Sequence, residues 1–297
     1  MPAADFCFPA RVVWLADEIK RNRGTQTRSA TLAPTFPGPP YADRFRRPDT
    51  KARHMHLAIL MTNTDESAFA QAHPQDGETF TELIRLARPD WSAEVFSVKD
   101  GIFPDDMARF DGAMITGSPA SVRSGEGWVE RLFGLIRDME QARQPLFGAC
   151  FGHQAIAVAL GGKVDWNPGG WVHGLTRNHL LARPGWARDL PDVIRLHGCH
   201  SEQVTVLPEN ALNLTRSTAC ATTGFAIGHH IYTTQHHPEM EPGFVRALTE
   251  EMADTLGPEA CRAALASLKD PADQKAYAES IARFFEQARH HHRDQGV

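Results

Sequence analysis

Gly148-Ala149-Cys150-Phe151-Gly152-His153-Gln154 follows the apolar Pro145-Leu146-Phe147 and runs into Ala155-Ile156-Ala157-Val158-Ala159-Leu160. This reads as a buried strand, a sharp turn and a helix. A glycine two positions either side of a central nucleophile is the layout of a nucleophile elbow. The turn is so tight that side chains at those flanking positions would collide with their neighbours, so Gly148 and Gly152 leave room for Cys150 to project. The turn also sets Cys150 at a helix N-terminus, whose partial positive charge favours an anionic sulfur. The plainer reading is a core cysteine beside a glycine-rich strand end. A second motif downstream argues against it.

Outward from the elbow, strands and helices alternate. His56-Leu57-Ala58-Ile59-Leu60-Met61 is a short apolar run suited to a central strand. A loop through Asp76-Gly77 is expected to lead into a helix from about Thr79 to Ala87. Ala93 to Val98 and Ala113 to Ile115 read as the next strands, and Thr116-Gly117-Ser118-Pro119 as a glycine turn directly after the last. From Trp128 to Gln141 the residues Leu132, Leu135, Ile136 and Met139 share one helical face. Strands separated by helices at this spacing imply a mostly parallel sheet covered on both faces, a three-layer α/β/α sandwich. In such folds the chemistry lies at the carboxyl ends of the strands, where Gly117 and Cys150 both fall. Past Gly161-Gly162 the strands shorten. Val193 to Leu196, Val204 to Val206, Leu212 to Thr215 and Ile231 to Thr234 suit a small antiparallel extension. Helices are expected from about Gly243 to Leu256 and Gln274 to Arg289.

Composition narrows the function. The 297 residues are 42% hydrophobic and 23% charged, with a net charge of −5, so nucleic acid is not the expected partner. No apolar run reaches the roughly 18 residues of a membrane span. Cys7, Cys150, Cys199, Cys220 and Cys261 show no CxxC spacing, so neither a metal site nor a disulfide framework is expected. A reducing, cytoplasmic setting suits a thiol that must stay unoxidised. His290-His291-His292 reads as a solvated tail, with metal binding as its alternative. Residues 1–54 hold seven prolines, ten Lys or Arg and five acids, and read as a flexible, dispensable extension ahead of a folded unit starting at Met55.

A cysteine nucleophile needs a base, and the base an orienting group. Thr233-Thr234-Gln235-His236-His237-Pro238-Glu239 follows a strand and offers both. Pro238 biases His237 away from helical geometry, so a carboxylate two residues on can fix its tautomer. His236 competes for the base role, but its place in the run points it to the opposite face.

The two motifs together, Gly-x-Cys-x-Gly-His-Gln and Gln-x-His-Pro-Glu, resemble the class I (triad) glutamine amidotransferase family. The likeness runs over about residues 57–255. It implies a flavodoxin-like glutaminase fold over residues 55–256, with 257–297 as a helical tail packed on it. It also implies a catalytic triad of Cys150, His237 and Glu239. An oxyanion hole would come from the backbone N–H groups of Gly117 and Phe151, with substrate contacts at Gln154, His200 and Ser118. No cofactor or metal is implied. Cys199-His200-Ser201-Glu202 stands where the family often has Ser-His-x-Asp. Related chaperones and peptidases usually place His directly after the nucleophile, and here that residue is Phe151.

The resemblance fixes a reaction class, cleavage of a γ-glutamyl amide through a thioester, and leaves the leaving group open. About 58 residues follow Glu239, too few for an ATP-using synthase, and no GxxxxGK[ST] loop is present. Asp100-Gly101-Ile102-Phe103-Pro104 with Phe110-Asp111-Gly112 resembles the stand-alone γ-glutamyl peptidase branch, close to the GMP synthetase glutaminase domain. A stand-alone hydrolase of glutamine or small γ-glutamyl compounds is therefore expected. The alternatives are a glutaminase subunit feeding ammonia to a separate synthase partner and, less favoured, a binding module that kept the fold.

Overall fold

The apolar runs at His56, Ala113 and Leu146 become adjacent strands of one sheet in the computed structural model, which describes residues 54–294. Apart from His54, the extension expected over 1–54 lies outside the described residues. The first half contains β1 (His56–Met61), α1 (Ala68–Gln71), α2 (Asp76–Ala87), β2 (Ser92–Ser97), β3 (Gly112–Ile115), α3 (Gly127–Gln141), β4 (Leu146–Ala149) and α4 (Phe151–Ala159). Then come β5 (Lys163–Trp166), β6 (Val172–Leu180), β7 (Val193–His200), β8 (Glu202–Val206), β9 (Ala211–Arg216), β10 (Gly224–Ile227) and β11 (Ile231–Thr234). The helices α5 (Pro242–Glu251), α6 (Ala253–Ser267) and α7 (Gln274–Asp294) follow.

Nine strands form one sheet in the order β2-β1-β3-β4-β11-β10-β9-β6-β7, and β5 pairs with β8 apart from it. Strands β2, β1, β3, β4 and β11 pair in parallel, and β10, β9, β6 and β7 continue antiparallel. This mixed sheet with a parallel core between helices is the α/β architecture expected. One detail differs. The strand at Ile231 belongs to the parallel core beside β4 rather than to the antiparallel part.

Two apolar clusters lie on opposite sides of the sheet, because alternate residues of β1 feed each. Leu57 and Ile59 join Phe80 and Leu83 of α2 and Ile281, Phe284 and Phe285 of α7. Ala58 and Leu60 join Leu132 and Ile136 of α3 and Ala155 and Ile156 of α4.

Other differences have local causes. Asp76-Gly77, expected as loop, is the first turn of α2, where Glu78 Oε2 accepts from the Gln75 N–H at 3.2 Å as half of a capping box. Gly77 serves packing there, since a Cβ would stand 2.6 Å from Val95 Cγ1. The helix expected over Gly243 to Leu256 ends at Glu251. Its successor α6 breaks at Gly257 (φ 77°), ahead of Pro258, which lacks the N–H a continuous helix needs.

Candidate active site

The strand order decides the site. β3, β4 and β11 are neighbours, and their carboxyl ends lead into Gly117, Cys150 and His237. Cys150 caps α4 with φ 50° and ψ −105°, a positive φ that side chains rarely adopt. The backbone around it shows why the flanking residues are glycines. A Cβ on Gly148 would stand 2.7 Å from Gly152 C and O, and one on Gly152 would stand 2.5 Å from Ile115 O. Cys150 itself is 5% exposed.

Gly117 packs against both other members. A Cβ there would approach His237 Cε1 to 2.8 Å and Cys150 Cβ to 3.6 Å. Thr62, just past β1, holds this turn by donating from Oγ1 to Gly117 O at 2.9 Å and from its N–H to Thr116 Oγ1 at 3.0 Å. Nothing local in the sequence marks Thr62. Among the described residues, the N–H groups of Gly117 and Phe151 meet no hydrogen-bond acceptor. They remain available to an incoming oxygen, the requirement of an oxyanion hole.

His237 is fixed from both ends. Its backbone N–H donates to His197 O at 2.8 Å, and its Nδ1–H donates to Glu239 Oε1 at 2.7 Å. Nε2 has no hydrogen-bond partner. Burial opposes protonation of this ring. The charges of Cys150 and Glu239, with the hydrogen bond to Glu239, outweigh it, and the pKa stands well above the ordinary histidine value. His236 behaves in the opposite way. It is fully buried, neither ring nitrogen has a partner, and burial, reinforced by nearby histidines, holds its pKa well below normal. It does not line the cavity, as its place in the sequence implied.

A cavity of about 510 Å³ opens over Cys150. All eight expected site residues except Phe151 line it with their own atoms. Both N–H groups of the Gln154 amide are used internally, toward Glu202 O (3.0 Å) and Gln235 Oε1 (3.2 Å), which leaves its carbonyl oxygen for a ligand. His200 donates from Nδ1 to Glu202 O at 2.9 Å, and its Nε2 is unpartnered. Burial pushes its pKa down to about 4, so the ring is neutral. Ser118 Oγ accepts from the Ala120 N–H at 3.1 Å and shapes the turn. Cys199 lines the cavity too, and burial drives its thiol up to about 12. Glu202 is anchored by Arg123 Nη2 at 2.6 Å and by Ser121 Oγ.

Sequence reading missed the outer wall. Phe69 and His73 come from α1 and the residues after it, Asp76 from the start of α2, and Phe244, Leu248 and Met252 from α5 and its end. Asp76 Oδ1 accepts from Asn63 Nδ2 at 3.4 Å. Burial, then the charge of Glu239, raises its pKa to about 6. No local pattern marks these residues, since two segments far apart in the chain, 69–76 and 244–252, assemble them. Among the described residues no helix is long and apolar enough to cross a membrane.

Comparison with known proteins bears on the family and the fold. The family described as glutamine amidotransferase class-I matches residues 78–247. Gamma-glutamyl peptidase 3 of Arabidopsis thaliana is 34% identical over 192 residues, covering 62% of this chain and 76% of that protein. The glutamine-hydrolyzing GMP synthase subunit of Methanopyrus kandleri is 32% identical over 144 residues, covering 46% of this chain and 72% of that protein. A crystal structure of a glutamine amidotransferase from Thermotoga maritima superposes with a TM-score of 0.65 at 18% identity, covering 79% of this chain and 99% of that one. That likeness concerns the fold.

Proposed function

This chain belongs to the class I glutamine amidotransferase family, and from that premise we propose that it is a cysteine-dependent hydrolase of γ-glutamyl amides, active without a partner. The observation that carries the reading is that Cys150, on a strained elbow, and a His237 whose Nδ1 is tied to Glu239 at 2.7 Å both pack against Gly117. Cys150 Sγ attacks the γ-carboxamide carbon, and the N–H groups of Gly117 and Phe151 hold the resulting oxyanion. The C–N bond then breaks, and the amine departs with the proton from His237 Nε2. Next, His237 takes a proton from water, whose oxygen attacks the thioester and releases glutamate and the Cys150 thiolate. Glu239 keeps the imidazole in the tautomer with Nδ1–H.

The cavity leaves room for substrates larger than glutamine. At roughly 30 Å³ per heavy atom, the share a water molecule takes in the liquid, glutamine's ten heavy atoms fill roughly 300 Å³. The cavity has about 510 Å³, so a leaving group of several heavy atoms fits beside the glutamyl half. The names of the Arabidopsis relatives point the same way. A second reading, a glutaminase subunit passing ammonia to a synthase, draws on the similarity to the Methanopyrus protein.

The test is release of glutamate by the purified chain alone, without ATP, from glutamine and from γ-glutamyl dipeptides. Turnover of the peptides by the wild type and its loss in Cys150→Ala, with the fold retained, is the expected result. Full turnover by the alanine variant would remove Cys150 from the mechanism. Silence toward every substrate, with Cys150 still alkylated by a diazoketone analogue of glutamine, would favour the second reading.

A further inference from the structure

We propose that the outer half of the Cys150 cavity is a leaving-group pocket for amines with an apolar stem and a second positive charge, and that it disfavours leaving groups ending in a carboxylate. This rests on the γ-glutamyl hydrolase reading above and deepens it.

Position comes first. The departing amine takes its proton from His237, so the leaving group lies on the His237 side of Cys150. Glu239 and Asp76 stand on that side, with Asp76 close enough to Glu239 and His237 for both charges to act on it. Gln154 and His200 belong to the other wall, since both donate to the carbonyl of Glu202 in β8.

Charge comes second. Five carboxylates line the cavity, Asp65, Asp76, Glu202, Glu239 and Glu251, and among the described lining residues there is no Lys or Arg. Arg123 neutralises Glu202, and His237 faces Glu239 Oε1. Among the described residues, Asp65, Asp76 and Glu251 form no ion pair. With His237 already held by Glu239, an incoming carboxylate would meet the like charges of Asp65, Asp76 and Glu251 here, and an ammonium would meet its complement.

The third observation is independent of that count. Glu239 is 8% exposed and lines the cavity, yet its Oε2 has no hydrogen-bond partner. A buried carboxylate oxygen without a donor is costly, and an N–H group of a bound ligand would supply one. The raised pKa of Asp76 comes from burial and then from the charge of Glu239, which His237 and the hydrogen bond from Asn63 only partly offset.

The wall between these groups is apolar. Phe69 and His73 lie 4.4 Å apart between ring centroids, and Phe244 stands 5.8 and 5.2 Å from them. Leu248 and Met252 continue this surface. Methylene groups pack on such a wall, and its aromatic faces tolerate a nearby cation.

Three γ-glutamyl amides with the same five-methylene stem test the proposal, differing only in their end: ammonium (from cadaverine), methyl (from hexylamine) and carboxylate (from 6-aminohexanoate). The glutamyl half is common to all and cancels. The expected order of kcat/KM is ammonium, then methyl, then carboxylate, with at least about tenfold between the extremes, shrinking in high salt. Asp65→Asn combined with Asp76→Asn should bring that ratio below about threefold, circular dichroism verifying the fold. Equal or faster hydrolysis of the carboxylate-ended amide, or a ratio unmoved in the folded double variant, overturns the proposal. If none of the three amides is cleaved while the diazoketone still labels Cys150, the pocket assignment fails and the glutaminase chemistry stands. Loss of labelling as well brings down both.

Discussion

Gly152→Ala puts the elbow to a quantitative test. The new Cβ would stand 2.5 Å from Ile115 O, 2.8 Å from Ile115 Cβ and 3.0 Å from Ile115 C. The nearest of these is a backbone atom of a central strand, so no rotamer change relieves it. Ordinary contact begins at 3.4 Å, so α4 must retreat from β3 by about 0.9 Å. Overpacking of this kind costs about 1–3 kcal/mol. In a folded unit of about 240 residues each kcal/mol lowers Tm by about 2–4 °C, giving a loss of about 2–12 °C. The retreat also strains the bond from the Gly152 N–H to Thr116 O, now 3.1 Å, and carries the Phe151 N–H away from that of Gly117. A misplacement of about 1 Å costs around 100-fold in rate. The assay pairs a thermal melt with the rate of glutamate release. Gly134→Ala is the control, because no atom lies within 4 Å of a Cβ built there and alanine is the better helix former by about 0.5–1 kcal/mol. Gly134→Ala should melt slightly higher and keep its rate. A Gly152→Ala protein melting within about 1 °C of wild type, with full activity, would refute the close-approach argument.

Three further outcomes are expected. Glu239→Gln keeps the shape but removes the charge and hydrogen bond that hold His237 protonated. kcat/KM should fall by about 10²–10⁴, and its basic limb should move to lower pH, read from a pH–rate profile. Burial pushes His153 down to about 3 and His173, His197, His200 and His230 down to about 4. Their neutral forms favour the folded state above pH 6.5, and this contribution is lost as pH falls toward 4. Urea melts between about pH 7 and 5 should therefore show stability falling by about 1.4 kcal/mol per pH unit for each proton taken up on unfolding, less steeply in His153→Asn. Arg123→Met strands Glu202, which is 8% exposed, and should cost about 2 kcal/mol. Arg85→Met breaks a pair whose Glu82 is 70% exposed and should cost less than about 0.5 kcal/mol in the same melts.

What the sequence made legible is what local geometry dictates. A glycine two residues either side of Cys150 has one economical explanation, and His237 and Glu239 are close enough along the chain to meet without knowledge of the fold. Gly117 was legible because a glycine directly after a short buried strand marks a strand end. The pairing of β11 with β4 was not, because strand order is set by which apolar faces meet, and Ile231-Tyr232-Thr233-Thr234 looks the same at an edge or in the centre. β6 was missed for a different reason. Val172 to Leu180 carries His, Thr, Arg and Asn at positions that break strict alternation, and eight residue pairings with β7 override its composition. The cavity's outer wall joins Phe69 and Asp76 to Phe244, far away in the chain, so no motif could announce it.

The register of the three central strands explains why these residues suffice for a site. Ile115 of β3 pairs with Gly148 of β4, and Gly148 with Thr233 of β11. Gly117 and Cys150 each lie two residues beyond that row, at the same height on adjacent strands spaced about 4.8 Å apart. His237 lies four residues beyond it, so the chain must double back for the imidazole to meet the thiol. Two ties make it do so. The Cys150 N–H donates to Thr234 O at 2.9 Å, locking the elbow to the end of β11, and the His237 N–H donates to His197 O, pinning the returning segment to β7. β7 is the far edge of the sheet in strand order, joined to the parallel core through the antiparallel strands β10, β9 and β6, yet its His197 bridges to His237. On the proposed mechanism, the antiparallel part is therefore what positions the base for a nucleophile that the parallel part supplies.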